Sequence, residues 1–135
     1  MSTTVQTRQG AGAGAALGSF AIDAALVTVF AAIGRGSHAR EATAAGLFET
    51  AWPFVAGLAI AWLLSLAWRR PAAPLRTGIP VWIGAVALGM LFRALSGQGT
   101  ALPFVIVATL TLLLLLVGWR LIAALVRRIR GRRTA

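Results

Sequence analysis

The sequence contains no cysteine, no lysine and no tyrosine, and only three of its 135 residues are acidic. The lack of cysteine excludes disulfide bonds, thiolate metal sites, iron–sulfur ligation and cysteine nucleophiles. Charged residues make up 12% of the chain, against about 25% in typical soluble domains, whereas 59% of the residues are hydrophobic. This composition excludes an ordinary soluble globule and a disordered tail protein, and it favours a chain whose solvent is lipid.

Four apolar runs are long enough to cross about 30 Å of hydrocarbon at 1.5 Å per residue. They cover residues 15–33, 51–68, 79–95 and 101–126. We place Pro53 in the first turn of the second span, where a missing amide costs least. Short connections force neighbouring spans to pack antiparallel. The sequence therefore predicts an all-α protein, a four-helix transmembrane bundle with up-down-up-down topology.

The arginines are distributed unequally between the two sides of these spans. One side holds ten arginines, and the other holds three, Arg35, Arg40 and Arg93. Because basic residues concentrate on the cytoplasmic side, we predict a multi-pass protein of the cytoplasmic membrane with both termini in the cytoplasm. The segments 1–14 and 127–135 then flank the membrane domain. A signal peptide is the alternative for the N-terminus, but the first apolar run is long for one and its removal reverses the arginine balance.

The C-terminal segment is strongly basic. After a membrane span, such a tail is interpreted as a stop-transfer signal and an anchor to anionic lipid headgroups, worth about 1 kcal/mol per arginine, rather than as a nucleic-acid site. Its basic residues are Arg127, Arg128, Arg130, Arg132 and Arg133.

Four tryptophans, Trp52, Trp68, Trp82 and Trp119, fall at predicted span ends, where indoles prefer the headgroup level, and only Trp62 lies inside a span.

Two patterns bear on helix packing. The segments 51–55 and 101–105 resemble each other, with Pro-Phe-Val in both, which suggests two repeated hairpins. Small residues also recur at helical spacing, and in lipid such stripes let helix backbones approach closely. They are Gly14, Gly18, Ala21 and Ala25 in span one, and Gly84, Ala85 and Gly89 in span three. Either the stripes pack spans within the bundle, or they form a seam in a homo-oligomer or a larger membrane complex.

Asp23 is the most informative residue, because it lies near the middle of span one. A carboxylate there costs several kcal/mol unless it is paired or protonated. It is either a proton or substrate site or one half of an architectural ion pair. Arg93 and Arg120 are the available partners, and Arg93 is the preferred one.

Six polar residues are predicted to lie on the outer side, where we expect them to surround one opening of the bundle. The set is Arg35, His38, Arg40, Glu41, Glu49 and Arg93. His38 is the only histidine, so bis-histidine haem within the chain is excluded, and we expect neither a metal nor another cofactor. Ser37 beside His38 is too little for nucleophilic catalysis, and we expect no enzyme.

A further set of residues forms a recognisable pattern: Asp23, 30–35, Ser37, His38, 50–54, 76–78, Gly89, Met90, Arg93, Gly97, Gly99, Phe104 and 118–120. With these residues the chain resembles a family of small prokaryotic multi-span membrane proteins known as domain of unknown function 3054. The resemblance covers about 23–120. It implies no catalytic role, because the family has no established activity, but it implies that Asp23, Arg35, His38 and Arg93 belong to one site.

The expected function is that of a small carrier or transport-associated protein. Its candidate site is an outward-facing polar pocket around an intramembrane Asp–Arg pair, formed by Asp23, Arg93, Arg35, His38 and Glu49. The alternative is a non-catalytic accessory or assembly subunit of a larger membrane complex. A membrane enzyme acting on lipid or quinone is a third, weaker alternative. A carrier needs a wet cavity that reaches Asp23, whereas an accessory subunit needs only a dry ion pair and an exposed small-residue face.

Overall fold

The computed structural model describes residues 2–37 and 43–134, with the side chains of 12–34 and 43–132. Four α-helices make up the described chain: α1 Ser2–Ser37, α2 Ala44–Ser65, α3 Ile79–Leu95 and α4 Leu102–Thr134. A 3₁₀ turn, Ala67–Arg69, and a π-helical turn, Pro74–Gly78, connect α2 to α3. Four helical segments are long and apolar enough to cross a membrane, the third being the π-helical turn together with α3, Pro74–Leu95. The predicted all-α, four-helix membrane architecture is confirmed, and the protein is an integral, multi-pass membrane protein.

The start of α2 differs from the prediction. The helix begins at Ala44, because the Thr43 side chain caps it by accepting a hydrogen bond from the Gly46 amide at 3.0 Å. Pro53 therefore lies inside α2, and its predicted place in the first turn is wrong. Pro103, by contrast, is the second residue of α4. The two Pro-Phe-Val motifs thus have different positions in their helices.

The ends of α2 and α4 also differ from the predicted spans. α2 stops at Ser65, three residues before the predicted end, where Leu66 adopts a left-handed conformation with φ of 54°. α4 continues through the basic tail to Thr134. Arginine has a high helix propensity, so charge in this segment does not end the helix.

The closest packing in the bundle is between α2 and α3, and it depends on glycine. A methyl group added at Gly84 would lie 2.5 Å from the Cβ of Ala61, and one added at Gly89 would collide with the ring of Phe54. The stripe in span three therefore packs within the bundle, as the first of the two interpretations predicts. On α1, the residues Gly14, Gly18, Ala21 and Ala25 are exposed.

The bundle has two distinct ends. One holds both chain termini and the α2–α3 connection, and we call it the terminal end. The other holds the α1–α2 and α3–α4 connections, and we call it the hairpin end. Between them lies a core to which all four helices contribute: Val27, Phe30, Phe54, Leu58, Trp62, Val81, Ala85, Ala108, Leu112 and Leu116. A different polar site lies on each side of this core.

Candidate functional site

The first polar site is an ion pair between Asp23 of α1 and Arg120 of α4. Both side chains are fully buried. Arg120 Nη1 donates to Asp23 Oδ1 at 2.8 Å, and Arg120 Nη2 donates to Asp23 Oδ2 at 2.6 Å. Two parallel bonds from a planar guanidinium to a carboxylate form the strongest geometry that this pair can adopt. The pair joins the first and last helices of the bundle.

Two indoles complete the surroundings of the Asp23 carboxylate. Trp62 Nε1 donates to Oδ2 at 2.9 Å, and Trp119 Nε1 donates to Oδ1 at 2.7 Å. Each carboxylate oxygen thus accepts two hydrogen bonds, which matches the capacity of an ionised carboxylate. The sequence predicts that Trp119 lies at the headgroup level as an anchor. Its indole N–H instead donates to Asp23.

Arg120 also bonds to the backbone of the terminal end. Its Nε donates to the carbonyl of Pro71 at 2.8 Å, and its Nη1 donates to that of Leu116 at 2.8 Å. The guanidinium carbon lies 4.7 Å from the centre of the Trp119 ring. The network therefore joins α1, α2, α4 and the α2–α3 connection. We call Asp23, Trp62, Trp119 and Arg120 the terminal network.

The sequence favoured Arg93 as the partner of Asp23, and this prediction is wrong, because Asp23 pairs with Arg120. Arg93 Nε donates to the Gly99 carbonyl at 3.0 Å, and Nη1 donates to Gln98 Oε1 at 2.9 Å, both in the α3–α4 connection. The reason is depth. Asp23 lies fourteen residues before Ser37, the end of α1, or about 21 Å along the helix, whereas Arg93 lies only two residues before Leu95, the end of α3. Arg93 thus belongs to the hairpin end.

The second polar site is a cavity of about 920 Å³ at the hairpin end. Arg93 lines it with only 8% of its surface exposed, and its guanidinium carbon lies 4.3 Å from the centre of the Phe104 ring. We call this site the hairpin cavity. The lining residues used below are Phe30, Glu49, Arg93, Gln98, Phe104 and Val107.

The polar rim of the hairpin cavity is held in place by Gln98. Its Nε2 donates to the backbone carbonyl of Glu49 at 3.0 Å, while its Oε1 accepts from Arg93. One amide therefore joins the α3–α4 connection to α2 and fixes Arg93 relative to Glu49. Below the rim the lining is aromatic, because Phe104 packs against Phe30 and Phe54 with centroid distances of 6.3 and 6.1 Å.

The comparison with known families matches this chain over most of its length. A family model described as "Protein of unknown function (DUF3054)" matches residues 20–123. The chain belongs to this family. No curated protein and no solved structure matches the sequence. The matched region of this DUF3054 protein contains both the terminal network and the hairpin cavity, and the resemblance seen in the sequence is confirmed.

The predicted site residues of the DUF3054 chain fall into separate groups. Arg93 and Glu49 line the same cavity, as expected of one polar pocket. Asp23 does not line this cavity and is buried in the terminal network. The prediction of one pocket built around an Asp–Arg pair is therefore wrong: the ion pair and the polar pocket are two separate sites. The side chain of Arg35 and the whole of His38 lie outside the described residues, as do Arg40 and Glu41.

Four arginines of the predicted membrane anchor, Arg127, Arg128, Arg130 and Arg132, are exposed along the end of α4. The side chain of Arg133 lies outside the described part of the chain. Sequence reasoning did not find the roles of Trp62, Trp119 and Gln98. All three are uncharged, so the sequence does not indicate that they contact a charge. Their roles become visible only when the structure places the two indoles beside Asp23 and the Gln98 amide beside Arg93.

Proposed function

We propose that this DUF3054 protein is a small carrier whose hairpin cavity binds its cargo and faces the outside of the cell. The predicted carrier required a cavity that reaches Asp23, and the hairpin cavity does not meet this requirement. The observation that carries the proposal is instead a cavity at one end of the bundle with the buried guanidinium of Arg93 in its lining. Ionisable side chains within membrane helices that face a cavity commonly mark the path of a substrate. The distribution of arginines assigns the hairpin end to the outer side. The proposal involves binding and passage, with no chemical step.

The terminal network supplies the closed side that a carrier requires. A carrier opens to one side of the membrane while the other side is closed. Asp23 has no exposed surface, and its bonds to Arg120, Trp62 and Trp119 hold α1, α2 and α4 together. On this proposal the terminal network is the inner closure.

An accessory subunit of a larger membrane complex is the second candidate function. Two observations favour it: Asp23 is in a dry, fully bonded site rather than a wet one, and the small residues of α1 are exposed. Helices with such faces can pack closely against a partner helix. The two candidates differ in whether the hairpin cavity is ever reached from the terminal end.

The experiment uses single cysteines, for which the cysteine-free chain is an ideal background. Val107 lines the hairpin cavity, and Ile106 beside it on α4 does not, although the two are similarly exposed at 55% and 50%. In phosphatidylcholine bilayers, a charged thiol reagent should modify Val107→Cys at least about tenfold faster than Ile106→Cys, because thiolates form in water and not among acyl chains. Equal, slow rates for both variants would remove the wetted cavity and the carrier with it.

The side from which the reagent acts separates the two candidates. Vesicles of the two orientations expose either the hairpin end or the terminal end to the reagent. A carrier predicts that Val107→Cys is modified from both sides, faster from the hairpin end. An accessory subunit predicts modification from the hairpin end alone, whatever the incubation time.

A further inference from the structure

We propose that the hairpin cavity takes a zwitterionic phospholipid, with a phosphate at Arg93, a primary ammonium at Glu49 and an acyl chain between α1 and α4. This inference rests on the proposed function, because it names the cargo of the same cavity. It commits to a lipid of the surrounding bilayer rather than to a solute from the water phase.

The described charges of the cavity lining favour one class of headgroup. Within the described residues, the charged side chains of the lining are Arg93 and Glu49, one of each sign. A purely anionic head would bring a negative charge close to Glu49, and a purely cationic head would do the same for Arg93, and like charges side by side are unfavourable. A head with a phosphate and a nearby ammonium matches both residues. Gln98 keeps the two residues in register, because it bonds to the Arg93 side chain and to the Glu49 backbone.

The apolar lining defines the rest of the ligand. Phe30 of α1 and Phe104 and Val107 of α4 line the cavity below the charged rim. Val107 lines the cavity, and its neighbour Ile106 is 50% exposed outside it, so the cavity wall borders the outer surface of α4. That outer surface contacts acyl chains in a membrane. A ligand can therefore place its head at the rim and leave its chain in the bilayer, whereas a small solute would leave the apolar wall without a partner.

Glu49 has a feature that makes the test clean: its side chain is exposed, so changing it does not disturb the core. The ammonium of phosphatidylethanolamine carries N–H donors for a carboxylate, whereas the quaternary ammonium of phosphatidylcholine carries none, and phosphatidylglycerol has no cation. Occupancy is read at the cavity itself, as protection of Val107→Cys from the charged thiol reagent in phosphatidylcholine nanodiscs.

The expected result is that added phosphatidylethanolamine slows modification of Val107→Cys about two- to fivefold, the effect of one exposed ion pair, and phosphatidylglycerol does not. Glu49→Gln should abolish this difference, and Glu49→Lys should reverse it in favour of phosphatidylglycerol. Arg128→Gln, which changes a charge on the terminal end, should leave it unchanged. Equal protection by the two lipids, or protection unaltered by Glu49→Gln, would overturn the zwitterionic assignment.

Soluble glycerophosphoethanolamine separates the two sources of the headgroup. The lipid assignment predicts little protection at concentrations that match the lipid, because the acyl contacts are missing. Equal protection would overturn the lipid assignment in favour of a soluble zwitterion. The same experiment separates failure of the carrier proposal from failure of the cargo inference. If Val107→Cys does not react readily in phosphatidylcholine alone, the carrier proposal fails. If it reacts readily but phosphatidylethanolamine does not protect it, only the cargo inference fails.

Discussion

Asp23 and Arg120, 97 residues apart in the sequence, form a buried ion pair with two hydrogen bonds of 2.6 and 2.8 Å. Two tryptophans from different helices donate to the same carboxylate. A buried ion pair is costly to assemble and more costly to break, because the partner left behind is an uncompensated charge. The pair therefore constrains how α1 and α4 can dock, whereas the arginine of the cavity bonds to Gln98 and Gly99.

The indole bonds to Asp23 should contribute more to stability than an indole bond to a neutral acceptor. Trp119→Phe removes a donor to a carboxylate, and Trp82→Phe removes a donor to the Thr109 carbonyl at a similar distance, 2.7 against 2.8 Å. Both tryptophans are partly buried, so the loss of volume is matched. We expect Trp119→Phe to cost about 1.5 to 3 kcal/mol and Trp82→Phe about 0.5 to 1.5 kcal/mol. The measurement is thermal unfolding in mild detergent, and a larger loss for Trp82→Phe would contradict the interpretation.

The glycines of α3 should be intolerant of a methyl group. Gly89→Ala places its Cβ against the Phe54 ring, in the closest helix contact of the bundle, and overpacking of this kind costs about 1 to 3 kcal/mol. Gly18→Ala on α1 meets nothing within 4 Å and should be neutral or slightly stabilising, since alanine favours the helix. Unfolding in detergent gives the comparison. If Gly18→Ala instead changes the size of the purified particle, the exposed stripe on α1 is a protein contact.

The sequence predicted the number of helices and an intramembrane ion pair at Asp23, but neither its partner nor its separation from the polar pocket. Apolar length determines the spans, and an intramembrane carboxylate must be paired, so both follow from composition alone. The choice between Arg93 and Arg120 depends on relative depth, which changes with helix tilt and offset. The predicted second span starts at residue 51 and α2 starts at Ala44, because apolar length alone does not detect the first turns, which Thr43 caps.

Both chain termini should lie in the cytoplasm. The arginine distribution favours the terminal end as the inner side, with ten arginines on that side and three on the other. A reporter that is active only outside should be silent when fused to the C-terminus and active when inserted after Gly97, in the α3–α4 connection. Activity of the C-terminal fusion would reverse the orientation and place the hairpin cavity on the inner side.

The exposed arginines at the end of α4 should bind anionic headgroups by charge. Replacing Arg127, Arg128, Arg130 and Arg132 with glutamine should weaken retention of phosphatidylglycerol, by about 1 kcal/mol per residue at most. Native mass spectrometry from mild detergent gives the number of lipids retained. The control replaces the same four residues with lysine, which keeps the charge and should keep the lipid. Equal loss in the lysine variant would show that charge is not the cause.

The two arginines that are buried within the described residues, Arg93 and Arg120, belong to separate sites. Two double-mutant cycles test this separation most directly, with unfolding free energies measured for Asp23→Asn combined with Arg120→Gln and with Arg93→Gln. The account predicts a coupling of about 1 to 3 kcal/mol between Asp23 and Arg120, and additivity within about 0.5 kcal/mol between Asp23 and Arg93. Strong coupling of Asp23 to Arg93, with additivity toward Arg120, would contradict it.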